Sequence, residues 1–127
     1  MIHEEICTYE VCKLAKDKGF PQDVFGTYEM KSSCYLEDGR YYKDGCICPI
    51  ENAYSAPTQS LLQRWLREEK ELEVYVRNFE KTTDFPHHYW NFITDGNGKT
   101  LKVGNKMFTT YELALEDALK YALKKLV

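Results

Sequence analysis

The chain has 127 residues, with 17 Lys+Arg against 20 Asp+Glu and a formal net charge of −3. This length suits one domain, and 14% aromatic residues are typical of a folded chain, because disordered chains are poor in aromatics. The acidic balance disfavours a protein that neutralises many phosphates, and no run reaches the roughly 18 apolar residues of a membrane span. The amino terminus lacks the basic and then apolar pattern of a signal peptide. We therefore expect a cytoplasmic protein without membrane contact.

A short helix is predicted near the amino terminus, at residues 8–18. Apolar residues recur there with helical spacing, Thr8 suits the N-cap and Gly19 suits the residue that stops the helix.

Residues 24–50 are rich in tyrosine, glycine and turn dipeptides, which predicts short strands. The clearest hairpin signal is Asp38-Gly39, a favoured two-residue turn between the strand-like runs 34–37 and 40–43.

The next predicted helix covers residues 58–70, because Pro57 suits a first helical turn and Trp65 lies in an apolar stripe that we expect to be core. Residues 72–103 contain three runs of alternating apolar and polar side chains, which predicts an antiparallel β-meander. Its second turn is predicted at Asp95–Gly98, where glycine and asparagine accept the backbone angles of tight turns.

The last predicted helix covers residues 110–126, and Thr109 and Glu112 have the spacing of a capping box at its start. We expect the fold class α+β: a single domain, residues 1–127, in which the first helix and hairpin pack with an α-β-β-β-α unit. The helices of that unit would lie on one face of the meander.

The five cysteines are an odd number, which favours reduced thiols over a complete set of disulfides. Cys46-x-Cys48 could supply two zinc ligands. The donors that could complete such a site are Cys12, Cys34, His87 and His88. Zinc knuckles usually present two closely spaced pairs, and a second pair is absent, so we expect no metal and no cofactor.

A cysteine nucleophile would need a base and an orienting group, for example Cys46 or Cys48 with His87 or His88 and Asp84. No signature of a thiol enzyme surrounds either cysteine, and the two histidines are more simply exposed rings before a strand. We therefore expect a protein that is not an enzyme.

Asp95-Gly-Asn-Gly98 begins like a calcium loop, with acidic and amide oxygens at alternate positions. The later glutamate of such a loop is missing, because apolar residues and Lys106 follow, so a hairpin turn is favoured.

The tyrosines interleave with charges rather than with a basic stripe, a pattern that suits either a protein-binding surface or the exposed face of a strand. The candidate interaction surface consists of Tyr28, Tyr35, Tyr41, Tyr42, Tyr54, His87 and His88.

From Thr58 onward, the predicted order resembles that of the double-stranded-RNA-binding domain, and Pro86-His87 is similar to a dipeptide that this family directs into the minor groove. The family places lysines at the start of its last helix, whereas this chain has Glu112 and Glu116, which would repel phosphates. The resemblance therefore implies the topology, with nucleic-acid binding as an alternative function that the charges disfavour.

The segments Ala56–Glu68, Thr110–Leu119 and Thr8–Phe20 are similar to a family of small uncharacterised proteins encoded by gut bacteria and their prophages. This resemblance implies a phage or mobile-element setting and brings no reaction with it. Small proteins of that setting often act by binding a host factor, including components of defence systems. We therefore expect a non-enzymatic protein-binding module; the alternatives are an RNA binder and a thiol- or metal-dependent enzyme.

Overall fold

The computed structural model describes residues 5–21, 34–36, 41–42, 53–78, 88–104 and 106–127. The chain divides into an N-terminal unit, Met1–Leu61, and a C-terminal unit, Leu62–Val127, and each is described by itself. Helices and antiparallel strands make up the described part, as predicted for the class α+β.

In the N-terminal unit, helix α1 spans Tyr9–Asp17, within one residue of its predicted bounds. The hydroxyl of Thr8 accepts a hydrogen bond from the backbone N–H of Val11 at 3.4 Å, so Thr8 is the N-cap. Gly19 follows the helix with φ +95°, a left-handed conformation that glycine adopts at little cost. The spacing signals at both ends of α1 are therefore confirmed.

Three short strands form the sheet of this unit, in the order β2-β1-β3. They are β1 (Cys34–Leu36), β2 (Tyr41–Tyr42) and β3 (Ala53–Ser55), all antiparallel to their neighbours. The predicted hairpin partners pair, but Cys34 lies opposite Tyr42, whereas a two-residue turn would place it opposite Lys43. Because β3 pairs with the other side of β1, β1 is the central strand of a three-stranded sheet, which the turn dipeptide alone does not predict.

Helix α2 spans Gln59–Lys70. The hydroxyl of Thr58 accepts a hydrogen bond from Leu61 N at 3.2 Å and caps the helix. Pro57 therefore precedes the cap and does not lie in the first turn as predicted. Trp65 is 4% exposed, which confirms its assignment to the core. After the helix, Glu71 takes φ 55° and turns the chain directly into the next strand.

The C-terminal sheet has the order β4-β5-β6, which confirms the predicted antiparallel meander. Its strands are β4 (Leu72–Asn78), β5 (Tyr89–Asp95) and β6 (Thr100–Val103). Val74 and Ile93 are paired, fully buried and on the face of the sheet against which the last helix packs.

Helix α3 spans Tyr111–Tyr121 and continues into a π-helical turn, Ala122–Leu126. Its N-cap is Thr110, whose hydroxyl accepts from Leu113 N at 3.1 Å. The predicted capping box of Thr109 and Glu112 is therefore one residue too early: adjacent threonines offer the same hydroxyl in the sequence, and Thr110, with an extended backbone, is the one that makes the cap. The predicted apolar face is buried at Leu115, Leu119, Ala122 and Leu123 and half-buried at Leu126.

Candidate interaction surface

Three of the predicted tyrosines occupy one row of the N-terminal sheet. Tyr35, in the central strand, is the register partner of Tyr41 on one side and of Tyr54 on the other. Directly opposed positions in antiparallel strands are the closest neighbours that a sheet provides. The positions Tyr41, Tyr35 and Tyr54 are named the tyrosine row below.

Tyr54, at one end of the tyrosine row, is held by helix α1. Its ring is half-buried and meets the edge of the Tyr9 ring with 5.5 Å between the ring centroids. The ammonium of Lys16 lies 5.0 Å from the Tyr54 centroid, within the range of a cation–π contact. This end of the row is therefore fixed by packing.

Backbone hydrogen bonds hold the approach to α1 beside the residues that follow β3. Cys7 N donates to Pro57 O at 2.9 Å, and Gln59 N donates to Glu5 O at 2.8 Å. Because these bonds lie immediately before α1 and immediately after β3, they fix the distance between Tyr54 and its partners on the helix.

The other candidate residues lie outside the tyrosine row. Tyr42 is the last residue of β2, whereas Tyr28 and His87 lie outside the described residues. His88 is 3% exposed, so the prediction of an exposed ring is wrong at this position. The neighbouring Tyr89 bridges to Phe108 through two backbone hydrogen bonds, which makes this strand start an interior part of the sheet.

The cysteines that the structure describes in full are Cys7 and Cys12, which are both buried and in the reduced form. Cys12 Sγ donates to the carbonyl of Cys7 at 3.6 Å, which is the behaviour of a small core side chain. Cys46 and Cys48, the centre of the alternative thiol and zinc sites, lie outside the described residues, as does Asp84. In the described ranges no group of three or more His, Cys, Asp or Glu is arranged to hold a metal ion.

The turn that superficially resembles a calcium loop is closed by its own backbone. Asp95 Oδ1 accepts from the amides of Asn97 and Lys99, both at 2.9 Å, and Gly98 takes φ +83°. These contacts confirm the predicted hairpin turn, because the carboxylate is engaged in the local amide bonds that stabilise such turns.

A buried polar network joins the C-terminal sheet to α3, and sequence patterns did not single it out. Asn91 is fully buried, and its side-chain amide donates to the Ala114 carbonyl at 2.9 Å and to Asp117 Oδ2 at 3.0 Å. The same carboxylate oxygen lies 3.2 Å from Lys102 Nζ, which also sits 4.4 Å from the Tyr121 ring centroid. These contacts pair the Asn91 side-chain N–H groups and the Lys102 ammonium with acceptors on α3, and so fix α3 on β5 and β6.

Asn91 also makes a close approach to the chain at Gly104. The Gly104 amide donates to the Asn91 backbone carbonyl at 2.8 Å, and a Cβ built on Gly104 would lie 2.5 Å from Asn91 Oδ1. Oδ1 is buried and has no hydrogen-bond partner. Only a glycine fits there without displacing the asparagine.

The opposite face of the C-terminal sheet carries a second row that sequence patterns missed. Tyr75 stacks on Phe92, with centroids 5.3 Å apart and planes inclined by 14°, and Phe92 pairs with Val103. Val103 is 54% exposed. The alternation in β4 was recognisable in the sequence, but the row required the register of three strands.

No helix within the described ranges is both long and apolar enough to cross a membrane. Comparison with protein-family models, with curated proteins and with solved structures gave no match. The resemblances to prophage-encoded proteins and to the double-stranded-RNA-binding domain therefore stay predictions.

Proposed function

We propose that the chain is a non-enzymatic protein-binding module and that the tyrosine row is its contact surface. The observation that carries this proposal is the register that makes Tyr35 the neighbour of both Tyr41 and Tyr54. Tyrosine provides a large contact area and a polar tip at a low entropic cost, and clustered aromatic residues dominate the binding energy of many interfaces.

The packing of Tyr54 supports the same function. A ring that is already held by Tyr9 and Lys16 loses little conformational freedom when a partner docks. Such preorganisation reduces the entropic cost of association and thus improves affinity.

The charge of the N-terminal unit indicates the character of the partner. Residues 1–61 contain 6 Lys+Arg and 10 Asp+Glu, so this unit holds the acidic excess of the chain. A partner with a basic docking face would be steered towards it, and its association rate would fall with added salt. In a phage or mobile-element setting, a host or defence factor is the expected target, with inhibition as the consequence of binding.

The test is capture from a lysate of the native host with four versions of the tagged protein. These are the unmodified chain, Tyr35→Ala, Tyr41→Ala and the control Tyr111→Ala, which removes a tyrosine that is 40% exposed in the C-terminal unit. One protein retained by the unmodified chain and the control, and lost from both row variants, supports the proposal. Equal retention by all four versions, or retention of nothing, rejects the tyrosine row as a binding surface.

Once that partner is purified, titration calorimetry measures the contribution of each tyrosine. A tyrosine at the centre of an interface contributes about 2 kcal/mol or more, which corresponds to roughly a 30-fold rise in Kd on truncation. Changes below threefold in both row variants would contradict the proposed surface.

A nucleic-acid function is the second candidate, favoured by the observed order α2-β4-β5-β6-α3. Opposing it, Glu112 is exposed in the first turn of α3, and Glu116 is half-buried one turn later. Gel shifts with duplex RNA across a salt series separate the two candidates. We expect no shift with the unmodified chain. Micromolar binding with a steep salt slope would replace the protein-binding proposal, since phosphate contacts release counterions.

A further inference from the structure

Strand β4 is an edge strand of the C-terminal sheet. Among the described residues its strand partner is β5 alone, along the whole of Leu72–Asn78. The Val74 carbonyl accepts a hydrogen bond from the side-chain amide of Gln63, so the peptide groups of Val74 point away from β5. Alternate residues of an antiparallel strand direct their backbone N–H and C=O groups to the same side, so those of Val76 also point away from β5. An edge of this length is a template for another strand.

The outer face of β4 carries opposite charges at equal distances on the two sides of Tyr75. Glu73 lies two residues before Tyr75 and Arg77 two residues after it, all three on the face opposite the buried Val74. If two copies of β4 pair antiparallel around a two-fold axis at Tyr75, Glu73 of each copy lies opposite Arg77 of the other. Cross-strand pairs of opposite charge are stabilising, whereas like charges in those positions are destabilising.

The hydrogen-bonding positions of the edge agree with this register. The same two-fold axis places Val74 of one copy opposite Val76 of the other. These are residues whose N–H and C=O groups point outward, so each such pair can exchange two backbone hydrogen bonds. We propose that two copies of this chain associate through antiparallel pairing of β4, with Glu73 and Arg77 setting the register.

Two contacts within the chain compete with this association. Arg67 Nη1 lies 3.7 Å from Glu73 Oε1, with both side chains more than 40% exposed. An ion pair this exposed is weak and yields to a cross-strand partner. Gln63 occupies the Val74 carbonyl and must withdraw when the strands pair. The result is a reversible dimer whose population depends on concentration, and the two-fold symmetry closes it at two copies.

The test is sedimentation velocity over a series of protein concentrations at low salt. We expect a monomer–dimer equilibrium. Glu73→Arg or Arg77→Glu alone places like charges opposite each other twice and raises the dissociation constant about tenfold or more. An equimolar mixture of these two variants restores opposite charges at both positions and forms the heterodimer. This rescue also shows that both variants are folded.

Two further variants complete the design. Lys99→Glu is the matched control, because it reverses an exposed charge in a turn outside β4 and should leave the dimer unchanged. Gln63→Ala frees the Val74 carbonyl and should tighten the dimer. A chain that is monomeric at every concentration overturns the proposal. So does a dimer that is indifferent to both charge reversals, or an assembly that grows beyond two copies. The tyrosine row lies in the other unit, so row variants separate failure of this proposal from failure of the proposed function.

Discussion

The approach of Gly104 to Asn91 predicts that Gly104→Ala destabilises the C-terminal unit. The new methyl group would lie 2.5 Å from Asn91 Oδ1 and 3.1 Å from the Asn91 carbonyl oxygen. The carbonyl cannot retreat easily, because it accepts the Gly104 amide at 2.8 Å. The strain must therefore be relieved by the Asn91 side chain or by a shift of the strand end.

Either response has a substantial cost. Forcing a methyl group into a packed site costs about 1–3 kcal/mol. If Asn91 rotates away instead, it gives up its bond to the Ala114 carbonyl, worth about 0.5–1.5 kcal/mol, and its bond to the Asp117 carboxylate, worth about 1.5–3 kcal/mol. Alanine also lowers the conformational entropy of the unfolded chain, which offsets about 0.4–1 kcal/mol of this loss of stability. We expect a net loss of about 2 kcal/mol in the free energy of unfolding.

Urea denaturation followed by tryptophan fluorescence measures this loss. Both tryptophans of the chain, Trp65 and Trp90, lie in the C-terminal unit, so the signal reports on the unit that contains Gly104. A double-mutant cycle with Asn91→Ala is the control, because removing Oδ1 removes the closest contact. Gly104→Ala should cost about 1 kcal/mol less in that background. An unchanged urea midpoint for Gly104→Ala, or equal costs in both backgrounds, would refute the reasoning.

Three other changes give separate tests, each read from denaturation curves. Trp65→Ala removes a side chain that is 4% exposed and should cost roughly 3–5 kcal/mol; an unchanged melting temperature would contradict its core position. Glu71→Gly should stabilise the chain by roughly 0.5–1 kcal/mol because it relieves φ 55°, whereas Glu71→Ala keeps that strain and should give no such gain. Thr110→Ala should cost about 1 kcal/mol through loss of the cap, and the matched Thr109→Ala should be nearly neutral; the reverse order would restore the earlier cap.

Local signals in the sequence predicted most of the C-terminal unit. Helix spacing, strand alternation and the Asp95–Gly98 turn act over a few residues, and the structure has these elements at nearly the expected bounds. The N-cap at Thr110 was missed by one residue because neighbouring threonines are chemically equivalent in a sequence. Choosing between them depends on backbone angles that tertiary packing sets.

The candidate surface depends on contacts between distant residues. The sequence indicated the tyrosines, but their row follows from pairing β1 with β3, a strand outside the predicted range 24–50. The network of Asn91 is similar, since its partner Asp117 is 26 residues away and an asparagine in an alternating strand looks like a surface residue. The sequence predicted an exposed His88 because the bridge between Tyr89 and Phe108 is also a long-range pairing, which local patterns do not reveal.

The chemical labelling rate of Lys102 can report on local opening of the C-terminal unit. Its side chain is 16% exposed, with the ammonium held between a carboxylate and an aromatic ring. Acylating reagents attack an accessible amine, so Lys102 should react far more slowly than the exposed Lys125 on the final π-helical turn. Its labelling rate, followed by mass spectrometry, then measures how often α3 lifts from β6. Local opening of this kind usually requires less free energy than global unfolding.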